Sequence, residues 1–185
     1  DRNSDKLTLR PEATASICRA YIQHKLYATE PVRKFYMTGP MFRRERPQKG
    51  RYRQFYQIDA EIFGVASPYA DVELIFLLRT LFDRLQVTDT TAHINSLGCP
   101  VCRPRFKAAL ADLLTAAAPT LCADCLRRKD RNPLRVLDCK VPGCRAAMAN
   151  APSILDYLCD DCRTHFDTVT DTLARLDVPF EIDKQ

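Results

Sequence analysis

The chain has 185 residues, 46% of them hydrophobic, nine cysteines and a formal net charge of +5. That length admits one large domain or two small ones, the hydrophobic share is ordinary for a globular protein, and no apolar run approaches the roughly 20 residues of a membrane-spanning helix. The positive charge is unevenly spread: between Arg33 and Arg53 stand eight basic residues and one acid, Glu45, a distribution suited to a phosphate-bearing partner such as a nucleotide or RNA.

In chain order, residues 11 to about 27 carry helical spacing through Ala13, Ile17, Ala20 and Tyr21, which predicts a helix packed behind a sheet. Cys18, beside that stripe, reads as a small core residue. The run 35–64 predicts two strands joined by a basic loop. Residues two apart share a face of a strand, so Arg43 and Glu45 are expected to project together from the first strand. Phe55, Gln57, Asp59 and Glu61 project together from the second, and Tyr56, Ile58, Ala60 and Ile62 form the expected apolar back. Alternation alone is equally compatible with a half-solvated hairpin. Ser67-Pro68 opens a second helix, proline being tolerated in a first turn, with Val72, Ile75, Leu78, Phe82 and Leu85 as its buried stripe. Residues 90–97 predict a strand leading out of the sheet, and residues 179–183 one returning to it.

At Gly98 the composition changes. Aromatics thin out, alanine, proline and cysteine rise, and short helices are expected around 103–117, 121–129 and 162–176. The division that follows is 1–97 as a core, 98–176 as an inserted domain, and 177–185 as the returning strand. An excursion of this kind has its two ends close together. Eight cysteines form four pairs: Cys99-x2-Cys102, Cys122-x2-Cys125, Cys139-x4-Cys144 and Cys159-x2-Cys162. Such spacing lets a tight turn aim two thiolates at one tetrahedral ion. Eight ligands fill two sites of four, and the spacing does not choose among the three ways of joining the pairs. His165 is a spare candidate ligand, and disulfides and reduced, metal-free thiols are the competing readings. A second basic group lies here: Arg127, Arg128, Lys129, Arg131, Arg135, Lys140 and Arg145.

Phe42-Arg43-Arg44-Glu45, followed by Gly50-Arg51-Tyr52-Arg53-Gln54-Phe55-Tyr56-Gln57, resembles motif 2 of the class II aminoacyl-tRNA synthetases. Leu9-Arg10-Pro11-Glu12-Ala13-Thr14, the loop from Arg46 to Arg53, Glu61-Ile62-Phe63-Gly64 and Asn132-Pro133-Leu134-Arg135-Val136-Leu137-Asp138 narrow it. Together these blocks resemble the histidyl-tRNA synthetase family over essentially the whole chain. The resemblance implies an α+β fold, an antiparallel sheet flanked by helices, with a mostly helical cysteine-rich inserted domain. It implies activation of histidine with ATP (as its Mg2+ complex) to histidyl-adenylate, then transfer to tRNA(His), in a cytoplasmic enzyme that is a homodimer at full length.

The family's residue roles carry over position by position. Arg43 would hold the α-phosphate and the attacking carboxylate, a task suited to a planar fork of donors. Arg51 would reach the γ-phosphate, Glu45 would accept from the adenine amino group, and adenine would stack on Phe55. Glu12, Thr14 and Gln57 would grip the α-amino group of histidine, and Glu61 an imidazole N–H. A cytosolic setting keeps thiols reduced, which favours structural Zn2+ on the eight cysteines, although the family's insertion is usually described without zinc. The family's first class motif, its Arg-Gly-Leu-Asp-Tyr-Tyr segment, its third motif and its anticodon-binding domain are absent from these residues. The expectation is therefore an internal fragment, inactive alone, of an enzyme. Two other classes stay open: a non-catalytic regulatory paralogue of the kind paired with ATP phosphoribosyltransferase, and a zinc-dependent RNA-binding module.

Overall fold

The alternating run after Val32 pairs with the run before Gly64. Arg33–Phe42 (β1) and Gln54–Phe63 (β2) are antiparallel, in register from Arg33 opposite Phe63 to Phe42 opposite Gln54, in a computed structural model that describes residues 7–46 and 48–184. Pro47 of the basic loop and the outer ends of the segments 1–97 and 177–185 lie outside the described residues. The chain divides into two compact units, 1–70 and 71–185, and the class is α+β, as expected.

In the first unit, Thr14–Gln23 (α1) lies on the face that carries Gln57, Asp59 and Glu61, not behind it. The Tyr21 ring stacks on Phe63 at 4.6 Å and meets Phe35 edge-on at 6.4 Å, while Phe35 and Phe63 stand 5.7 Å apart. All the odd-numbered residues of both strands share that face, so Phe35, Met37 and Met41 line it beside the polar residues. Those apolar neighbours are what a single helix can cover. The expected apolar back is the exposed face instead: Tyr36 is 84%, Tyr56 75% and Ile58 61% exposed. Period-2 alternation separates two faces but does not say which one is covered.

Pro68–Arg84 (α2) begins at the predicted proline. Its expected stripe is only partly realised: Val72 is buried, Ile75 and Phe82 are half-buried, and Leu78 and Leu85 are exposed. At 100° per residue, Leu78 and Leu85 have drifted about 120° and 140° from Val72 around the axis. The covered side of α2 packs in the second unit on Val169, Leu173 and Val178, joined by Ile94 and Phe180. The predicted strands shrink to Ala92–Ile94 (β3) and Phe180–Ile182 (β4). They pair with each other in parallel, in a sheet of their own, rather than joining β1 and β2.

Between them run Cys102–Ala116 (α3), Ala123–Arg128 (α4), Leu134–Leu137 (α5), Pro142–Met148 (α6) and Asp160–Arg175 (α7). Cys102, Phe106, Leu110 and Leu114 recur every fourth residue on α3 and form the spine of a core with Leu121, Cys125, Val136, Cys144, Met148, Ile154, Leu155 and Phe166. The three short helices α4–α6 are below the length at which helices hold by themselves. Packing against α3 and their own cysteines supplies the rest.

Two glycines test the hairpin unequally. Gly64 has φ +83° and a Cβ there would sit 1.7 Å from the Pro31 carbonyl oxygen, whereas Gly50 has φ +79° and open space around it. Gly50→Ala is expected to destabilise by about 1 kcal/mol, the left-handed penalty alone. Gly64→Ala is expected to destabilise by about 3 kcal/mol or more, because backbone must also move. Equilibrium unfolding in denaturant, followed by circular dichroism, compares them.

Candidate functional site

The segment before α1 is pinned across the end of β1. Phe42 N–H donates to the Arg10 carbonyl at 2.9 Å, Arg10 Nε donates to the Pro40 carbonyl at 3.1 Å, and Arg43 Nε donates to the Pro11 carbonyl at 2.9 Å. These bonds set Glu12 and Thr14 against the odd-numbered face of the hairpin. Thr14 Oγ1 then donates to Glu61 Oε1 at 2.6 Å. Glu12 is not a helix cap: Ala13 occupies the cap position, and no side-chain bond caps the helix.

Arg43 and Glu45 lie just past the end of β1 rather than in it. Arg43 N–H still pairs with the Arg53 carbonyl at 2.9 Å, but Glu45 N–H turns back onto the Arg43 carbonyl, and the ladder ends there. The Arg43 guanidinium nevertheless stands over the Phe55 ring, 5.0 Å from its centre, a favourable cation–ring arrangement. Glu45 is ion-paired with Arg51 at 3.6 Å. Pairs as exposed as this one contribute little stability and exchange partners readily.

Gln57, Asp59 and Glu61 follow along β2, opposite Gly39, Met37 and Phe35. Gln57 Oε1 and Asp59 Oδ2 are buried and have no hydrogen-bond partner among the described residues. Burial, reinforced by the charges of Glu61 and then Glu12, holds the Asp59 carboxyl above its ordinary 3.8, while Arg10 and Arg43 pull it down. Arg43, Phe55, Gln57, Glu61, Glu12 and Thr14 thus gather on one face, with Glu45 and Arg51 at its loop end. Acceptors outnumber donors at the Gln57–Glu61 end, and the guanidinium–ring pair occupies the other. Such a face suits a cation at one end and an anion beside an aromatic system at the other. The sequence pattern alone assigns no role to Asp59 or Arg10, although Asp59 shares the parity of Gln57 and Glu61, and Arg10 stands in the block that carries Glu12.

In the second unit the eight cysteines form two groups: Cys99, Cys102, Cys159 and Cys162, and Cys122, Cys125, Cys139 and Cys144, the sulfurs of each group all within 4.8 Å of one another. Backbone N–H groups of Cys99 and Cys159 bring the Cys102 thiol down to about 6, and that of Cys125 brings Cys122 to about 7. Hydrogen bonding with Cys159 pushes Cys162 up to about 12, and burial raises Cys125. Each group therefore holds at least one thiol that favours the ionised form beside at least one that a bound cation would have to deprotonate. His165 belongs to neither group; its Nε2 lies 2.7 Å from Asp71 Oδ2. A cleft of about 690 Å³ in this unit is lined by α2, β3 and the start of α7. Of the candidate residues it carries Cys162 and the spare ligand His165.

A family profile described as histidyl-tRNA synthetase matches residues 1–174. The histidine–tRNA ligase of Desulfosudis oleivorans is 63% identical over 185 residues, covering 100% of this chain and 44% of that protein. That of Desulforapulum autotrophicum is 62% identical over 184 residues, with 100% and 43% covered. The apo crystal structure of the S. aureus histidyl-tRNA synthetase superposes with a TM-score of 0.77 at 29% identity, covering 100% of this chain and 43% of that one. The chain spans less than half the length of these relatives.

The crowding of carboxylates has a measurable sign. Because the folded-state pKa of Asp59 lies above its ordinary value, ionised Asp59 destabilises the fold, and stability falls as pH rises from 3.8 through the raised pKa. Asp59→Asn is therefore expected to be more stable than the parent chain at pH 7, with the advantage shrinking as pH approaches 4. Urea unfolding at both pH values reads the difference.

Proposed function

The chain belongs to the histidyl-tRNA synthetase family, and from that premise we propose that it supplies the motif 2 half of the catalytic centre, together with the inserted domain, of a histidine–tRNA ligase. The observation that carries this reading is the single sheet face on which a guanidinium-over-ring pair, Arg43 and Phe55, neighbours an amide oxygen unpartnered among the described residues and three carboxylates, Glu12, Asp59 and Glu61.

The chemistry follows from what those groups can hold. A carboxylate oxygen of histidine attacks the α-phosphorus of ATP, the bond to the bridging oxygen breaks, and pyrophosphate leaves with the electron pair. No covalent bond to the protein is needed, only cations on the phosphate oxygens and fixed positions for the reactants. Arg43, tethered through Nε to Pro11, keeps its terminal nitrogens for the α-phosphate and the attacking carboxylate. Phe55 offers its ring to adenine, Glu45 accepts from the adenine amino group, and Arg51 reaches the γ-phosphate once it exchanges Glu45 for it. Mg2+ arrives with ATP as part of the substrate.

The acceptor-rich end takes histidine. An ammonium group placed between Glu12, Thr14 and Gln57 would supply the donor that Gln57 Oε1 lacks, and its charge would offset the carboxylates that crowd Asp59. Glu61, already oriented by the Thr14 hydroxyl, accepts the imidazole N–H. A site that pairs with a polar group discriminates strongly against side chains lacking it.

We assign residues 98–176 to the inserted domain and 1–97 with 177–185 to the core, although α2, β3 and β4 fall in the same compact unit as the insertion. Two findings support this boundary: the cysteine-centred core is drawn wholly from residues between Cys99 and Phe166, and the parallel pairing of β3 with β4 brings the two ends of the excursion together. Its basic group suits tRNA(His) phosphates, and its cysteine groups suit structural zinc. A cytoplasmic, homodimeric full-length enzyme follows from the family alone. Among the described residues no helix is long and apolar enough to cross a membrane.

In the full-length polypeptide, Glu61→Ala is expected to raise the KM for histidine in ATP–pyrophosphate exchange by about 10- to 100-fold, the worth of a charge-assisted hydrogen bond, with the KM for ATP little changed. Arg43→Ala is expected to lower kcat by about 100-fold or more. Equal loss of histidine and ATP affinity on Glu61→Ala would contradict the assignment.

A further inference from the structure

From the way the cysteine pairs meet, we infer two nested tetrathiolate zinc centres with different tasks, an outer one that closes the neck of the excursion and an inner one that organises its tip. The inference rests on the zinc reading above and is independent of the ligase reading.

The first pair joins the fourth and the second joins the third. In the outer group, Cys99 Sγ lies 3.5 Å from Cys102 Sγ and 3.9 Å from Cys159 Sγ, across 60 residues. In the inner group, Cys122 Sγ lies 4.0 Å from Cys139 Sγ. Four sulfurs around one tetrahedral zinc at about 2.3 Å stand about 3.8 Å apart, so these separations match a single ion. They are far beyond a disulfide bond of about 2.05 Å. They are also too close for an iron–sulfur cube, whose irons and sulfides must fit between the ligating sulfurs.

Each group is tied together by backbone as well as by sulfur. Val101 N–H donates to Cys99 Sγ at 3.4 Å and Cys159 N–H to Cys102 Sγ at 3.1 Å; Cys122 N–H donates to Cys144 Sγ at 3.2 Å. Donors aimed at sulfur favour the thiolate, the form that binds metal. A filled centre carries a net charge of minus two, and bases follow four of the ligands directly: Cys102-Arg103, Cys139-Lys140, Cys144-Arg145 and Cys162-Arg163. Four thiolates leave no open position, so both centres are structural.

Their tasks differ by position. The outer cysteines sit at the starts of α3 and α7, the two long helices that flank the excursion, just beyond the β3–β4 pairing. The inner cysteines belong to α4, α6 and the turn after α5, where, among the described residues, the ion pairs Arg127–Asp124 and Lys129–Asp130 are local and do not join one short helix to another.

The wild-type chain loaded with 113Cd tests the pairing without any substitution, through cadmium-to-Hβ correlation in NMR. Two resonances are expected, one coupled to Cys99, Cys102, Cys159 and Cys162, the other to Cys122, Cys125, Cys139 and Cys144. Metal analysis of the chain purified without chelator is expected to give two zinc ions, with X-ray absorption showing sulfur ligands only. In C139S/C144S, hydrogen exchange is expected to accelerate about tenfold or more over residues 121–148 while β3, β4 and α7 stay protected. Two ions with a different set of couplings, or acceleration spreading over the neck in C139S/C144S, would overturn the nested arrangement and leave the zinc reading standing. A chain that takes up no zinc, or binds it through nitrogen or oxygen, would overturn both, with the ligase reading untouched.

Discussion

The register of β1 against β2 governs everything proposed for the first unit. Ten residues of each strand pair without a bulge, so every odd-numbered side chain from Phe35 to Phe63 within the strands shares one face. A slip of one residue would send Gln57, Asp59 and Glu61 to the other side. The register is held at both ends by contacts that leave out Gln57, Asp59 and Glu61. Tyr21, Phe35 and Phe63 pack their rings at one end, and the Arg10–Ala13 segment is laced to Pro40, Phe42 and Arg43 at the other. The middle of the face is thereby left to chemistry.

That middle is built against local stability. Three carboxylates crowd one another, Gln57 and Asp59 each bury an oxygen without a partner among the described residues, and Thr14 spends its hydroxyl on Glu61. A strand selected only for folding would carry none of this. The conflict resolves if the face is shaped for a cationic group that arrives with its own donors. The second unit solves the opposite problem. Its core is small, its tip helices are short, and clustered thiols stand where a larger domain would place more apolar side chains.

Much of this was legible in the residues. The strand parity, the proline that opens α2 and the four cysteine pairs could be read from spacing and residue type, and the α+β class from the family resemblance. Three features could not, each for a physical reason. Alternation divides Tyr56 and Ile58 from Gln57 and Asp59, yet which side is covered depends on where Tyr21 finds Phe63, a contact between residues 42 apart in sequence. Apolar spacing on α2 runs on to Leu78 and Leu85, but the helix turns past them while Val72 stays packed with Leu173. Cysteine spacing fixes which two thiols share a turn and is silent on which turns meet, since that depends on the folding of the residues between. The strands β3 and β4 belong to the same class: their composition announced extended chain, but only three residues of each find a partner, and the partner is the other.

The most direct measurement is a crystal structure of the full-length polypeptide with histidine and ATP bound. The proposed chemistry predicts the imidazole N–H on the Glu61 carboxylate, the α-ammonium against Gln57, and the α-phosphate on Arg43, all on the odd-numbered face of the hairpin. Substrates bound with that face untouched, or with Gln57 and Glu61 directed away from both ligands, would contradict it.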